Sequence, residues 1–204
     1  MPKHFSEQEK TEIRARLVAI GLELFEKYGI SKTNVNDVTE RAGISKGSFY
    51  AFFASKGDLF MEVYRLERER IHAEILAEIP DGEQDLCAFL KEYSAAMMRK
   101  VSECPILEMV YDPAALMMIS DQSVRERLLL FNEQINKKIT DMIEEWMERD
   151  GTYTIEAKIM TKMFRSLNFL KFHKDAIGLD DFDKVVATMT EAIVDYIKHA
   201  KVQS

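Results

Sequence analysis

Residues 33–60 read TNVNDVTERAGISKGSFYAFFASKGDLF, and their punctuation sets the local architecture. Val35, Val38 and Ala42 recur at helical spacing, which predicts a short helix over 34–42 with one buried face. Gly43 breaks it with a residue that tolerates positive φ. Ser45 can cap a second short helix reaching Phe53, and Ser55 with Asp58 repeats a capping-box pattern. That last cap opens a long helix from about Lys56 towards Ile79. Two short helices joined by a glycine turn, the second starting with small and polar residues, form the outline of a helix-turn-helix.

Upstream, Ser6 and Glu9 fit another capping box. Ile13, Leu17, Ile20, Leu24 and Tyr28 then form one apolar stripe that Gly29 should end. Downstream, Pro80-Asp81-Gly82 is the strongest break. A helix is expected from about Asp85 to Ser102, then two short ones between Pro105 and Ile119, interrupted at Asp112-Pro113. Val124, Leu128, Phe131, Ile135, Ile139, Met142 and Trp146 mark a long helix stopping at Asp150-Gly151. Two more follow, roughly Ile155–Lys174 and Asp180–Lys201, separated around Gly178. The expected fold is all-α: an N-terminal three-helix helix-turn-helix domain, residues 1–54, joined through a long fourth helix to a second helical domain, residues 55–204. With 8 Gly and 4 Pro in 204 residues, the chain has too few turn formers for an all-β fold.

The net charge of −7 is unevenly spread. Residues 1–57 carry 9 Lys+Arg and 7 Asp+Glu, whereas 58–204 carry 19 and 28. Opposite signs suit a chain of which only the N-terminal part approaches a polyanion. Cys87 and Cys104 have no metal-ligand spacing and read as ordinary reduced thiols. His4, His72, His173 and His199 form no metal or nucleophile pattern. The polar N-terminus is unlike a signal peptide and no apolar run is long enough to span a bilayer, so a cytoplasmic protein without a membrane partner is expected. GxSxG, HExxH, P-loop and dinucleotide fingerprints are absent, so neither an enzyme nor a cofactor is expected.

A recognition helix presents its N-terminal end to base edges. Here that end reads Ser45-Lys46-Gly47-Ser48: a cap, a long donor, a residue without a side chain, and a hydroxyl. Gly47 costs about 1 kcal/mol of helix stability relative to Ala, so its use suggests close backbone approach to another molecule, for which phosphate is plausible. Phe49 can staple against Ile44 as a core residue. The segment from Ile13 to about Leu59, with Ala42-Gly43, Ser45-Lys46-Gly47, Tyr50, Phe53 and Ser55-Lys56, resembles the N-terminal signature of the TetR family of bacterial regulators. The resemblance implies that Lys46, Gly47 and Ser48 face the groove of double-stranded operator DNA. It further implies that Tyr50 donates to a phosphate, Lys56 holds another, and Asn34 and Asn36 lie near the adjacent backbone. Many relatives have His where this chain has Phe52, so a phosphate-facing donor is lost there and Phe52 can simply pack.

One helix-turn-helix reads few base pairs, so a homodimer on a two-fold operator is expected. The last two helices carry apolar faces wider than one core contact needs. Ile159, Met163, Phe164, Leu167, Val185, Met189, Ile193 and Tyr196 are the candidate four-helix interface, the alternative being that they wrap the monomer core. Phe89, Tyr93, Met97, Met109, Tyr111, Met117, Met118 and Phe131 make the middle rich in Met and aromatics. Each reads singly as core; together, and by the resemblance, they are candidates for an apolar pocket holding an unidentified small-molecule effector. The expected protein is a repressor released by that effector. An activator or architectural factor lacking one, or a helical carrier, are the other readings.

Overall fold

The computed structural model describes residues 5–79, 85–112, 116–117, 119–170, 173–178 and 180–202. Among these the protein is all-α. Its helices are α1 Glu7–Lys32, α2 Val35–Ala42, α3 Lys46–Phe49, α4 Lys56–Glu78, α5 Leu86–Glu103, α6 Pro105–Tyr111, α7 Gln122–Asp150, α8 Ala157–Leu170, α9 Lys174–Ile177 and α10 Phe182–Ala200. One isolated antiparallel bridge joins Tyr153 to Lys201. The breaks expected at Pro80-Asp81-Gly82 and at Pro113 lie outside the described residues.

The helices gather into two compact units, and the division does not follow the expected boundary after residue 54. The first holds Met1–Ile71 and Cys104–Leu129; the second holds His72–Glu103 and Leu130–Ser204. The first unit is larger than three helices because α6 packs on α1 and the start of α7 packs on the start of α4.

In the first unit the Ser6 hydroxyl accepts from the Glu9 backbone while the Glu9 carboxylate accepts from the Ser6 backbone, the expected reciprocal cap. Gly29 leaves helical geometry (φ 74°, ψ 163°), but one further turn carries α1 to Lys32. Leu17, Phe25, Leu59, Phe60 and Tyr64 are buried, with the Phe25 and Phe60 rings meeting edge-on at 5.2 Å. The contact between α4 and α7 depends on Gly57. A Cβ there would lie 2.4 Å from the Val124 Cγ2 atom, and Val124 is fully buried. Beside it Arg127 donates to Asp58 at 2.5 Å, and Asp58 is also held by Ser55, whose hydroxyl donates to it at 2.8 Å.

That cluster gives a pH dependence. Burial raises the Asp58 carboxyl, but hydrogen bonds from Arg127 and Ser55 and the guanidinium charge outweigh it and hold the group below its usual 3.8. A depressed folded value stabilises the fold above the unfolded value, and this stabilisation is lost as pH falls through the folded one. With both partners part-exposed, the pair should contribute only about 1 kcal/mol after solvent screening. Urea unfolding of Arg127→Ala should therefore show its deficit at neutral pH and approach the parent curve below about pH 4.

In the second unit α5, α8 and α10 pack on one another. Phe89 stacks on Tyr93 at 5.7 Å and meets Trp146 at 4.9 Å. The Tyr93 hydroxyl lies 3.1 Å from Nδ1 of His72. On α8 the inward face is Met160, Thr161, Phe164, Leu167 and Asn168, while Ile159 is 42% exposed and Met163 half-buried. The final helix turns Val194, Ile197 and Ala200 inward.

Candidate nucleic-acid interface

The site is built on α2, the turn and α3. Asn34 caps α2: its side-chain oxygen accepts from the Asp37 backbone at 3.0 Å, and its amide donates to the Asp37 carboxylate at 2.6 Å. Asn36 is exposed, and its carbonyl accepts from the Thr39 hydroxyl. Gly43 ends α2 in the left-handed region at φ 67°, where a β-carbon is strained. Ser45 then caps α3, accepting from the Ser48 backbone at 3.1 Å, with the two hydroxyls 2.9 Å apart.

The second helix is shorter than expected. It spans four residues, Tyr50 being its C-cap, and 51–52 form a turn before Phe53. The reason is packing: Phe49 is fully buried and Phe53 4% exposed, their rings 5.9 Å apart, and the chain must turn to bury both. Burial of Phe49 leaves its neighbours outward. Lys46 and Gly47 are exposed, Ser48 is half-buried, and Tyr50 is 51% exposed with its ring edge-on to Phe49. Nothing among the described residues requires glycine at 47. A Cβ there would meet only the Ser45 hydroxyl, at 3.8 Å, and the backbone is helical.

Lys56 is engaged within the fold. Its ammonium donates to the Ile30 carbonyl at 2.6 Å and the Thr33 carbonyl at 2.7 Å, and burial pushes it below its ordinary value. Two of its three donors thus tie the end of α1 to the start of α4, leaving one for any phosphate. Phe52 packs, its ring 6.0 Å from Phe5.

Two positioning residues escaped the reading of the sequence. Arg16 donates to the Ala42 carbonyl at 3.1 Å, tying α1 to the end of α2. Arg14 donates to the Phe52 carbonyl at 3.2 Å and to Glu62 at 3.0 Å, and lies over the Phe53 ring at 4.6 Å. Periodicity follows the apolar stripe of α1. The available signal was two arginines beside that stripe, long enough to reach past the helix edge.

The other candidates are scattered. Phe89, Tyr93 and Met97 are buried core residues of the second unit, and Phe131 is half-buried there. Met109 is half-buried and Met117 is 73% exposed, both in the first unit. Met118 and the side chain of Tyr111 lie outside the described residues. The described candidates thus divide between the two units, and Met117 faces outward. Of the interface candidates, Phe164 and Leu167 are spent inside the chain's own core, while Tyr196 is 56% and Met189 39% exposed and Val185 and Ile193 are half-buried.

A short glycine-hinged helix pair, braced by α1 and presenting a small polar edge, defines a helix-turn-helix protein. Residues 17–63 match the family model described as bacterial regulatory proteins, tetR family. The N-terminal part of the chain is thus similar to the TetR family. It is 33% identical over 66 residues to the HTH-type transcriptional regulator AcrR of Shigella flexneri, covering 32% of this chain and 31% of that protein. It is 24% identical over 146 residues to the probable acrEF/envCD operon repressor of Escherichia coli K12, covering 67% of this chain and 64% of that one. The matches thus span between about a third and two thirds of these relatives' lengths. The fold extends to nearly the whole chain. The transcriptional regulator FadR of Bacillus subtilis, solved with stearoyl-CoA, superposes with a TM-score of 0.62 at 13% identity, covering 88% of this chain and 97% of that one.

Proposed function

We propose that this protein is a repressor that binds a palindromic operator as a homodimer and is released by a small apolar or amphipathic effector. The observation that carries the DNA contact is the edge of α3. Lys46, Gly47 and Tyr50 are exposed there, and Gly47 has open space where the fold would accept a β-carbon. A helix former is avoided at a position with room for one, which fits an external surface approaching the backbone closely. Lys46 reaches base edges or phosphate, Ser48 supplies a hydroxyl, and Tyr50 donates to phosphate. Asn34, Asn36 and Ser45 sit at the two helix starts flanking this edge, and the free donor of Lys56 adds a backbone contact.

The dimer reading rests on Ile159, Met163, Val185, Met189, Ile193 and Tyr196, apolar side chains of the second unit that the chain leaves exposed or half-covered. The effector reading draws support from the bound stearoyl-CoA of the FadR structure, which makes long-chain acyl compounds the first to try.

The double variant Lys46→Ala with Tyr50→Phe tests the contact. Measured by anisotropy on DNA from upstream of the protein's own gene, affinity should drop by about a hundredfold for two lost polar contacts. Sedimentation should show the assembly state unchanged. Parent-like affinity in the double variant would remove both residues from the interface.

A further inference from the structure

A groove of about 300 Å³ runs between α5 and α10 within the second unit, lined by Ser94, Ala95 and Met98 on one side and Phe182, Val186 and Ala187 on the other. This is the low end of the range for small-ligand sites. None of the eight residues expected to form the effector pocket lines it, so it is a separate site.

Its polar groups have a definite bias. Lys91 and Glu191, both on the lining, are ion-paired to each other across the groove, and Thr190 donates to the Val186 carbonyl. Two groups remain without a hydrogen-bonding or ionic partner among the described residues. One is the hydroxyl of Ser94, a residue only 5% exposed. The other is the carboxylate of Asp183, in the first turn of α10. The Ser94 oxygen opens onto the groove, where water satisfies it and a ligand donor can take that water's place. Since the lysine is already matched by Glu191, the surplus charge of the lining is negative.

We infer that this groove binds a compact amphipathic amine, its alkyl chain on Met98, Ala95, Val186 and Phe182 and its ammonium donating to the Asp183 carboxylate and the Ser94 hydroxyl. The charge selects the class. A carboxylate would face Asp183 and would have to displace Glu191 from Lys91, whereas a neutral alcohol gains no charge-assisted bond.

Calorimetry of the full chain with octylamine, octanol and octanoate, without DNA, tests the site independently of the repressor reading. Octylamine should bind at least about tenfold more tightly than either of the others. Asp183→Asn should lose most of that preference, and Ser94→Met should block the groove and abolish amine binding while thermal unfolding stays near the parent's. A preference for octanoate, binding of none of the three, or octylamine binding untouched by both variants would each overturn the assignment. So would dissociation of the assembly in Ser94→Met, which would mark the groove as a contact between copies of the chain.

Discussion

Phe49→Ala is expected to cost about 3–5 kcal/mol, the range for emptying a buried aromatic site. Phe49 is fully buried and touches Tyr50 edge-on at 5.4 Å and Phe53 at 5.9 Å. It is also the main apolar anchor of a helix only four residues long. So short a helix has no stability of its own. Removing the ring therefore releases the whole recognition segment. The loss is comparable with the total stability of a small unit, so operator binding should vanish with it. Urea unfolding with a separate probe in each unit reads this out: the transition of the first unit should move to lower urea while that of the second holds. A Phe49→Leu variant should keep most of the stability. If Phe49→Ala melted like the parent, the ring would not be anchoring α3.

Gly57→Ala is expected to destabilise the first unit by about 1–3 kcal/mol, the usual cost of overpacking, although alanine is the better helix former. The new β-carbon would lie 2.4 Å from Val124 Cγ2. Val124 is β-branched, with few χ1 rotamers, and fully buried, so relieving the contact must shift its side chain against its neighbours or move α7 away from α4. That movement would also stretch the Arg127–Asp58 contact beside it. The companion change Val124→Ala removes the clashing methyl, so the double variant should recover part of the loss from Gly57→Ala, a coupling that a double-mutant cycle measures. Additive losses would mean that the two residues do not meet.

The helix-turn-helix was legible because its marks are local. Gly43, the capping serines and the spacing of Val35, Val38 and Ala42 each act within a few residues, and the structure places α2, the left-handed turn and α3 where they indicate. The end of α3 was misplaced because the burial of Phe49 and Phe53, a tertiary demand, overrides helical continuation through Phe52. Arg14, Arg16 and the two carbonyls held by Lys56 depend on contacts between elements dozens of residues apart, which no periodicity carries. The same limit explains α8. Its two apolar rows are nearly equivalent in sequence, and only packing reveals that Met160, Phe164 and Leu167 turn inward while Ile159 and Met163 do not. The effector candidates could not be told from core in the sequence, because richness in methionine marks adaptable packing as readily as a pocket. The groove between α5 and α10 was invisible for the converse reason: its distinguishing groups, Ser94 and Asp183, are ordinary surface residue types until the helices meet.

The central claim is that α3 approaches DNA so closely that residue 47 has no room for a side chain in the complex, though it has room in the free protein. Gly47→Ala isolates that claim, because the added methyl meets nothing nearer than 3.8 Å within the chain. The direct measurement is the affinity of this variant for its upstream DNA, taken beside its thermal unfolding. Unfolding should come at or slightly above the parent temperature, with affinity lowered at least about tenfold, a loss of about 1.4 kcal/mol or more. Parent-like affinity in a fully folded Gly47→Ala protein would contradict it.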